Sequence, residues 1–332
     1  MSILVGIPYA TTDSKYWLDR TMLSIKEKLD ADIAVAVDEG VSMLTGPIRF
    51  YQLWTVGHGV GKARNVLGLF ALRQGYDCLI YMDSHVLVLS DNLEKICKSD
   101  LGNPKIVVVE SRHFPSFLRW AEPFFYSVTS PQVNYNAFTL SSFLEKQKWK
   151  WAYIYELPSR KTVMTTEPVF SVSRRVLEAL VQAQEVPTLA YYWGKENFDL
   201  TVSAARLGYD MTVYPEVVVG HVYKVGSPSS WSDRFKVTEC RNEPFCGLLS
   251  GSVYGNGIKW ADCVYAIKHY GSYWGLPVDY HVCDLVVKHD VDSIRRSIQF
   301  NAYAKYTLDQ VYERLNTYLI GAKYVFLTSS PP

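Results

Sequence analysis

Five consecutive apolar residues, Cys78-Leu-Ile-Tyr-Met82, end abruptly in Asp83-Ser84-His85. A run this short cannot form an amphipathic helix and reads as a strand buried on both faces, as in a parallel sheet between helical layers. In open sheets of that kind, ligands bind beyond the carboxyl ends of the strands. Residues two apart on an extended segment point the same way, so Asp83 and His85 can converge on one point. A carboxylate with an imidazole is half of a divalent-metal site. A strand-end aspartate capping the next turn beside a surface histidine would look the same.

The chain before this run repeats the pattern. Ile3 to Ile7 reads as a buried strand, Pro8 to Asp13 as the loop after it, and Leu18, Met22, Ile25 and Leu29 recur at helical spacing behind two capping candidates, Asp13 and Ser14. Ile33 to Val37 is a second strand ending in Asp38-Glu39-Gly40, where an acid can accept hydrogen bonds from a base or ribose or simply form a turn. The stretch Gly57-His-Gly-Val-Gly61-Lys62-Ala-Arg64-Asn65 is not a phosphate-binding P-loop. Val56 stands where its first glycine is required and Ala63 where the magnesium-binding hydroxyl is required. It leads instead into a helix bearing Val66, Leu67, Phe70 and Ala71, closed by Gly75. Arg64, in the first turn, could contact a phosphate or brace Asp83; taken alone it reads as a solvated charge.

Beyond the central run, Ile106 to Val109 is a further strand, and residues 111–161 are aromatic and irregular. Val169 to Ser173 reads as a strand and Arg174 to Gln184 as a helix; Trp193-Gly-Lys-Glu196-Asn197 then opens a second helix reaching Gly208. Met211 to Val219 is strand-like and is expected to stop at Gly220-His221-Val222-Tyr223-Lys224.

With 332 residues, 48% of them hydrophobic and 20% charged, the chain can bury a large core. A formal charge of +1 excludes a generally basic, nucleic-acid-binding surface and leaves room for a local groove that takes a diphosphate. The N-terminus has no secretory pattern and no segment supplies the roughly 18 unbroken apolar residues of a spanning helix. The expectation is a soluble, cytoplasmic protein without a transmembrane segment. The six cysteines lack the close pairing of a zinc site and are expected to be free thiols. Bridges among Cys240, Cys246, Cys263 and Cys283 would suit a hyperthermophilic source or its virus.

Three motifs occur in one order: Asp83-Ser84-His85, Trp193-Gly-Lys-Glu196-Asn197 and Gly220-His221-Val222. Over residues 1–225 the chain resembles the catalytic domain of the polypeptide N-acetylgalactosaminyltransferases and related family-two-like glycosyltransferases of the GT-A fold. The resemblance implies an α/β fold, Rossmann-like, with a mixed and mainly parallel sheet flanked by helices, and residues 226–332 as a lid and helical extension. It assigns Asp83, His85 and His221 to one divalent cation, manganese first and magnesium as the alternative. Asp38 would hold uridine; Pro8, Arg64, Glu167 and Trp193 would line the nucleotide-sugar site. Glu196 and Asn197 would grip sugar hydroxyls or orient the acceptor, although an acid also suits the first turn of a helix for its own sake. The family retains anomeric configuration, which is attributed to same-face attack without an enzyme nucleophile.

The implied activity is hexosyl transfer from a UDP-linked sugar to a glycan, protein or small-molecule acceptor. The alternatives are a transferase like mannosylglycerate synthase, using a GDP-sugar and a small acceptor, a non-catalytic nucleotide-sugar-binding protein, and a metal hydrolase. Where the family has paired glycines in an A-G-G-L-F strand, this chain has Glu167-Pro168, which puts the donor sugar in question. The stretch Gly226 to Trp231 could close over a diphosphate, and the helical region Ile294 to Leu319 could serve packing, oligomerisation or acceptor binding.

Overall fold

The computed structural model describes residues 1–10, 13–37, 42–55, 59–98, 106–115, 135–138, 151–156, 160–163, 168–188, 196–223, 296, 299–318, 320–321 and 323–326. Two compact units make up the chain. The first comprises Met1–Tyr135, Glu167–Glu178 and Met211–Ser227, and the second Asn136–Thr166, Ala179–Asp210 and Pro228–Pro332.

The first unit is a mixed α/β sandwich. Its strands are β1 (Ile3–Tyr9), β2 (Asp32–Val37), β3 (Tyr51–Trp54), β4 (Cys78–Met82), β5 (Val86–Val88), β6 (Ile106–Pro115), β10 (Val169–Ser173) and β11 (Met211–Tyr223). They are ordered β3-β2-β1-β4-β10-β6-β11-β5. The pairs β1 with β2, β1 with β4, β2 with β3 and β6 with β11 are parallel. β10 runs antiparallel to both β4 and β6, and β5 antiparallel to β11. Helices α1 (Lys15–Lys28), α2 (Val60–Gln74) and the short α3 (Lys95–Lys98) flank this sheet.

Alternation along the strands explains the two layers. Ile3, Val5, Ile7 and Tyr9 of β1 share a core with Leu18, Met22, Ile25 and Leu29, the residues at helical spacing that form the buried stripe of α1. Gly6 faces the other way: a Cβ there would meet the Leu67 and Leu79 methyls at 3.1–3.2 Å, so its absence lets α2 lie close on β1. Covered on both faces, β1, β2 and β4 can be apolar without interruption. Gly75 closes α2 in the left-handed region at φ 81°, its amide and that of Tyr76 returning to the last carbonyls of the helix.

Several expectations are corrected. β1 extends through Pro8, which pairs with Ala36 of β2 but lies past Gly6, the last β1 residue in register with β4, so its missing amide breaks no ladder there. Ser14 is the residue preceding α1, yet its side chain makes no capping bond, and Asp13 bonds elsewhere. β11 does not stop before Gly220-His221; both lie inside the strand, paired with β5. Cys78 and Cys97 are not free thiols: the start of β4 and α3 bring their Cα atoms to 5.8 Å and the sulfurs form a disulfide.

The second unit holds β7 (Tyr135–Phe138), β8 (Trp151–Glu156), the two-residue β9 (Lys161–Thr162) and β12 (Lys323–Phe326), with a sheet ordered β12-β8-β7. The helix α4 (Arg174–Gln184) straddles the boundary, and α5 (Glu196–Arg206) packs with α6 (Leu308–Tyr318). Arg206 lies under the Phe300 ring at 4.9 Å and donates to Asn301 Oδ1 at 2.8 Å, while Arg314 pairs with Asp210. In the helical region Ile294 to Leu319, residues 302–307 separate helical residues 299–301 from α6, and the Lys305 and Tyr306 amides donate to Arg206 O. Gly226 to Trp231 and the four later cysteines lie outside the described residues, and among those residues no helix is long and apolar enough to cross a membrane.

Candidate metal centre at the switch point of the sheet

The chain order in the sheet reverses at β1. β2 and β3 are added on one side of it and β4 on the other, which opens a crevice beyond the carboxyl ends of β1 and β4. Gly6 pairs with Tyr81, so Pro8 and Asp83 each lie two residues further along neighbouring strands. The Asp83 amide donates to Pro168 O at 3.0 Å, which fixes the exit from β4 on its other side.

Residues 84–88 are held from α1. Thr21 Oγ1 donates to Ser84 O and accepts from the Val86 amide, both at 3.1 Å, and Ser24 Oγ accepts from the Val88 amide at 3.1 Å. Two hydroxyls one turn apart on a buried helical face thus replace ladder partners for the turn and for β5. β5 then sets the third residue. His221 pairs with Val86, and the Val222 amide donates to His85 O at 3.0 Å, so the two imidazoles stack with centroids 4.9 Å apart and planes 26° from parallel.

Asp83, His85 and His221 offer ligand atoms that all lie within 4.8 Å of one another. Metal bonds of about 2.1 Å put adjacent ligands about 3 Å apart and opposite ones about 4.2 Å. The separation of 3.8 Å between His221 Nε2 and Asp83 Oδ2 falls in that span, so this pair is spaced to share a single ion. A mixed imidazole and carboxylate set suits manganese better than calcium or magnesium.

Asp83 divides its two oxygens. Oδ2 faces His221, while Oδ1 accepts from Arg64 Nη2 at 3.2 Å. Arg64 is 1% exposed, which overturns its reading as a solvated charge. Its guanidinium sits over the Tyr81 and Phe170 rings at 5.3 and 5.4 Å. Tyr81 donates its hydroxyl to Arg64 O at 3.0 Å; burial pushes that phenol well up, against the pull of the arginine charge, so it remains a proton donor. Between its bracing of Asp83 and its contact with a phosphate, the first is what the geometry contains.

Of the other sequence-derived residues, Pro8 lies at the same sheet edge as Asp83. Asp38, Glu167 and Trp193 lie outside the described residues. Glu196 and Asn197 form the first turn of α5 in the second unit, 6% and 7% exposed, with Thr188 Oγ1 donating to Asp199 Oδ2 at 2.7 Å beneath them. Sequence reasoning missed Thr21, Ser24 and the link from Asp13 to Ser84 (2.9 Å), which join residues more than sixty positions apart. The only signal was polar: two hydroxyls on the face of α1 that also carries Leu18 and Ile25.

No protein-family model matches the sequence, and no curated protein sequence does. Among solved structures, the chain is similar to the crystal structure of GalNAc-T7 with UDP, GalNAc and Mn2+. The TM-score is 0.54 and the identity 14%, covering 91% of this chain and 56% of the other, so this chain spans little more than half the length of its neighbour. The likeness is one of architecture: a mixed α/β, GT-A-like fold.

Proposed function

We propose that the protein is a metal-dependent, retaining glycosyltransferase that moves a hexose from a nucleotide-diphosphate sugar, UDP-linked, to an acceptor. The observation that carries the proposal is the Asp83, His85 and His221 cluster at the switch point of a GT-A-like sheet. The neighbouring structure, which holds UDP and Mn2+, supports the choice of donor class and ion. A divalent cation held by these three residues would offset the charge that builds on the departing diphosphate.

The chain's own residues supply orientation. Arg64 holds the Asp83 carboxylate so that one oxygen stays turned toward His221. The α1 hydroxyls fix the backbone of residues 84–88. Asp38 is assigned to the uridine, Trp193 to the diphosphate or acceptor side, and Glu196 with Asn197 to the sugar hydroxyls or the acceptor. Residues 1–225 would form the catalytic domain and 226–332 a lid and extension.

Donor choice is assigned to the segment that enters β10. Glu167 adds a carboxylate that can accept from free hydroxyls, and Pro168 adds a ring and removes an amide. Both leave less room for an N-acetyl group, so an unsubstituted hexose is the expected donor sugar. The test is a screen of nucleotide sugars for manganese-dependent transfer or hydrolysis. UDP-glucose or UDP-galactose should turn over faster than UDP-N-acetylgalactosamine, and Glu167→Gly should narrow the gap. Preference for the N-acetylated donor would remove Glu167 from this role, and UDP binding without turnover of any sugar would favour a non-catalytic binding protein.

A further inference from the structure

Ser84 lies between two of the groups at the crevice. Its Oγ is 2.9 Å from Asp13 Oδ2 and 3.3 Å from His85 Nδ1, and the residue is 2% exposed. Asp13 belongs to the loop leaving β1, and its carboxylate also accepts from the Ala10 amide at 3.2 Å. A second contact, from the Tyr9 hydroxyl to Asp13 O at 3.2 Å, holds the same loop. Asp13 is thereby fixed from its own side of the crevice while it reaches Ser84 on the other.

Counting protons fixes the direction of this chain. An ionised carboxylate only accepts, so the single hydroxyl hydrogen of Ser84 goes to Asp13. The Ser84 oxygen then faces His85 Nδ1 with lone pairs alone, and Nδ1 must be the nitrogen that carries hydrogen. In a neutral imidazole the basic lone pair is left on Nε2. We propose that Asp13 and Ser84 are positioning residues that lock His85 in its Nδ1–H tautomer and so define Nε2 as its metal-ligating atom. The inference rests on the metal reading of the cluster; its direct object, the tautomer, is a property of the metal-free protein. Histidine ligands generally depend on a partner for the other ring nitrogen, and losing that partner costs about 10- to 100-fold in metal affinity. Here the partner is a hydroxyl whose polarity is set by a carboxylate from the opposite strand end.

The arrangement makes an unusual demand on Asp13, which in this relay acts through the Ser84 hydroxyl. Without its carboxylate the Ser84 hydroxyl is free to turn its hydrogen toward Nδ1, which drives the ring proton to Nε2 and closes the ligating position. Removing the hydroxyl instead only releases the ring to an ordinary mixture.

The test uses the full chain labelled with 15N-histidine and long-range proton–nitrogen correlations, recorded without metal at a pH where the ring is neutral, followed by calorimetric titration with manganese. The unsubstituted protein should show His85 as the Nδ1–H form. Ser84→Ala should give mixed tautomers and about tenfold or more weaker manganese binding, and Ser84→Thr should restore both. Asp13→Ala should invert the tautomer and weaken binding at least as much as Ser84→Ala. The double variant should be no worse than Asp13→Ala, since the carboxylate acts only through the hydroxyl. Ser84→Ala deletes one oxygen and leaves Asp13 on the Ala10 amide, so the comparison survives if Asp13→Ala does not fold. An Nε2–H form in the unsubstituted protein, or a tautomer indifferent to Ser84→Ala, would overturn the relay. Absence of manganese binding with the expected tautomers would overturn the metal reading and leave the relay standing.

Discussion

Arg64 is a charge buried for the sake of its neighbour. A guanidinium 1% exposed, against two aromatic rings, is costly to hold unless its hydrogen bonds are met, and the one to Asp83 fixes which carboxylate oxygen turns toward His221. Lysine would keep the charge but lose the planar fork and the ring stacking. Arg64→Lys is therefore expected to weaken manganese binding by about tenfold while circular dichroism stays that of the folded protein. Unchanged affinity would reduce Arg64 to a packing residue. At this scale the sequence was uneven. Asp83, His85 and His221 could be picked out because acid and imidazole at strand ends are conspicuous, and the fold does bring them together. Arg64 could not be read as buried, since one arginine in a helix looks the same on either face. Asp13 and Ser84 are 71 positions apart, and no local pattern announces such a pair.

Among elements, the close approach of α2 to β1 carries Arg64 to its place. Gly6 allows it, because any Cβ there would already press on Leu67 and Leu79. Gly6→Val is expected to cost about 1–3 kcal/mol by overpacking, measured as a fall in urea midpoint. A neutral result would mean that the helix is free to shift outward. The elements buried on both faces, β1, β2, β4 and β10, were legible as strands, and α1 and α2 as helical repeats, α2 ending at Gly75. β3 was not: Tyr51-Gln-Leu-Trp54 lies at the sheet edge, only partly covered, and neither alternates nor runs apolar. The continuation of β11 through Gly220-His221 was hidden because a glycine and a histidine read as a strand end. The Cys78–Cys97 bridge was hidden because its separation of 19 residues follows no spacing rule.

At the scale of the whole first unit, the fold follows from one repeated device, buried strands whose carboxyl ends meet at a reversal of chain order. A net charge of +1 gives no general attraction for a diphosphate, and Arg64, the buried cation at the crevice, is engaged with Asp83. In the proposed function an ion at Asp83, His85 and His221 would supply positive charge toward a nucleotide diphosphate, which would tie nucleotide binding to metal binding. The most direct measurement is UDP affinity by calorimetry in saturating manganese and in chelator, for the unsubstituted protein and for His221→Ala. UDP should bind at least about tenfold more tightly with manganese, and His221→Ala should lose that difference because one of three protein ligands is gone. Equal UDP affinity in manganese and in chelator would contradict a metal-dependent donor site at Asp83, His85 and His221.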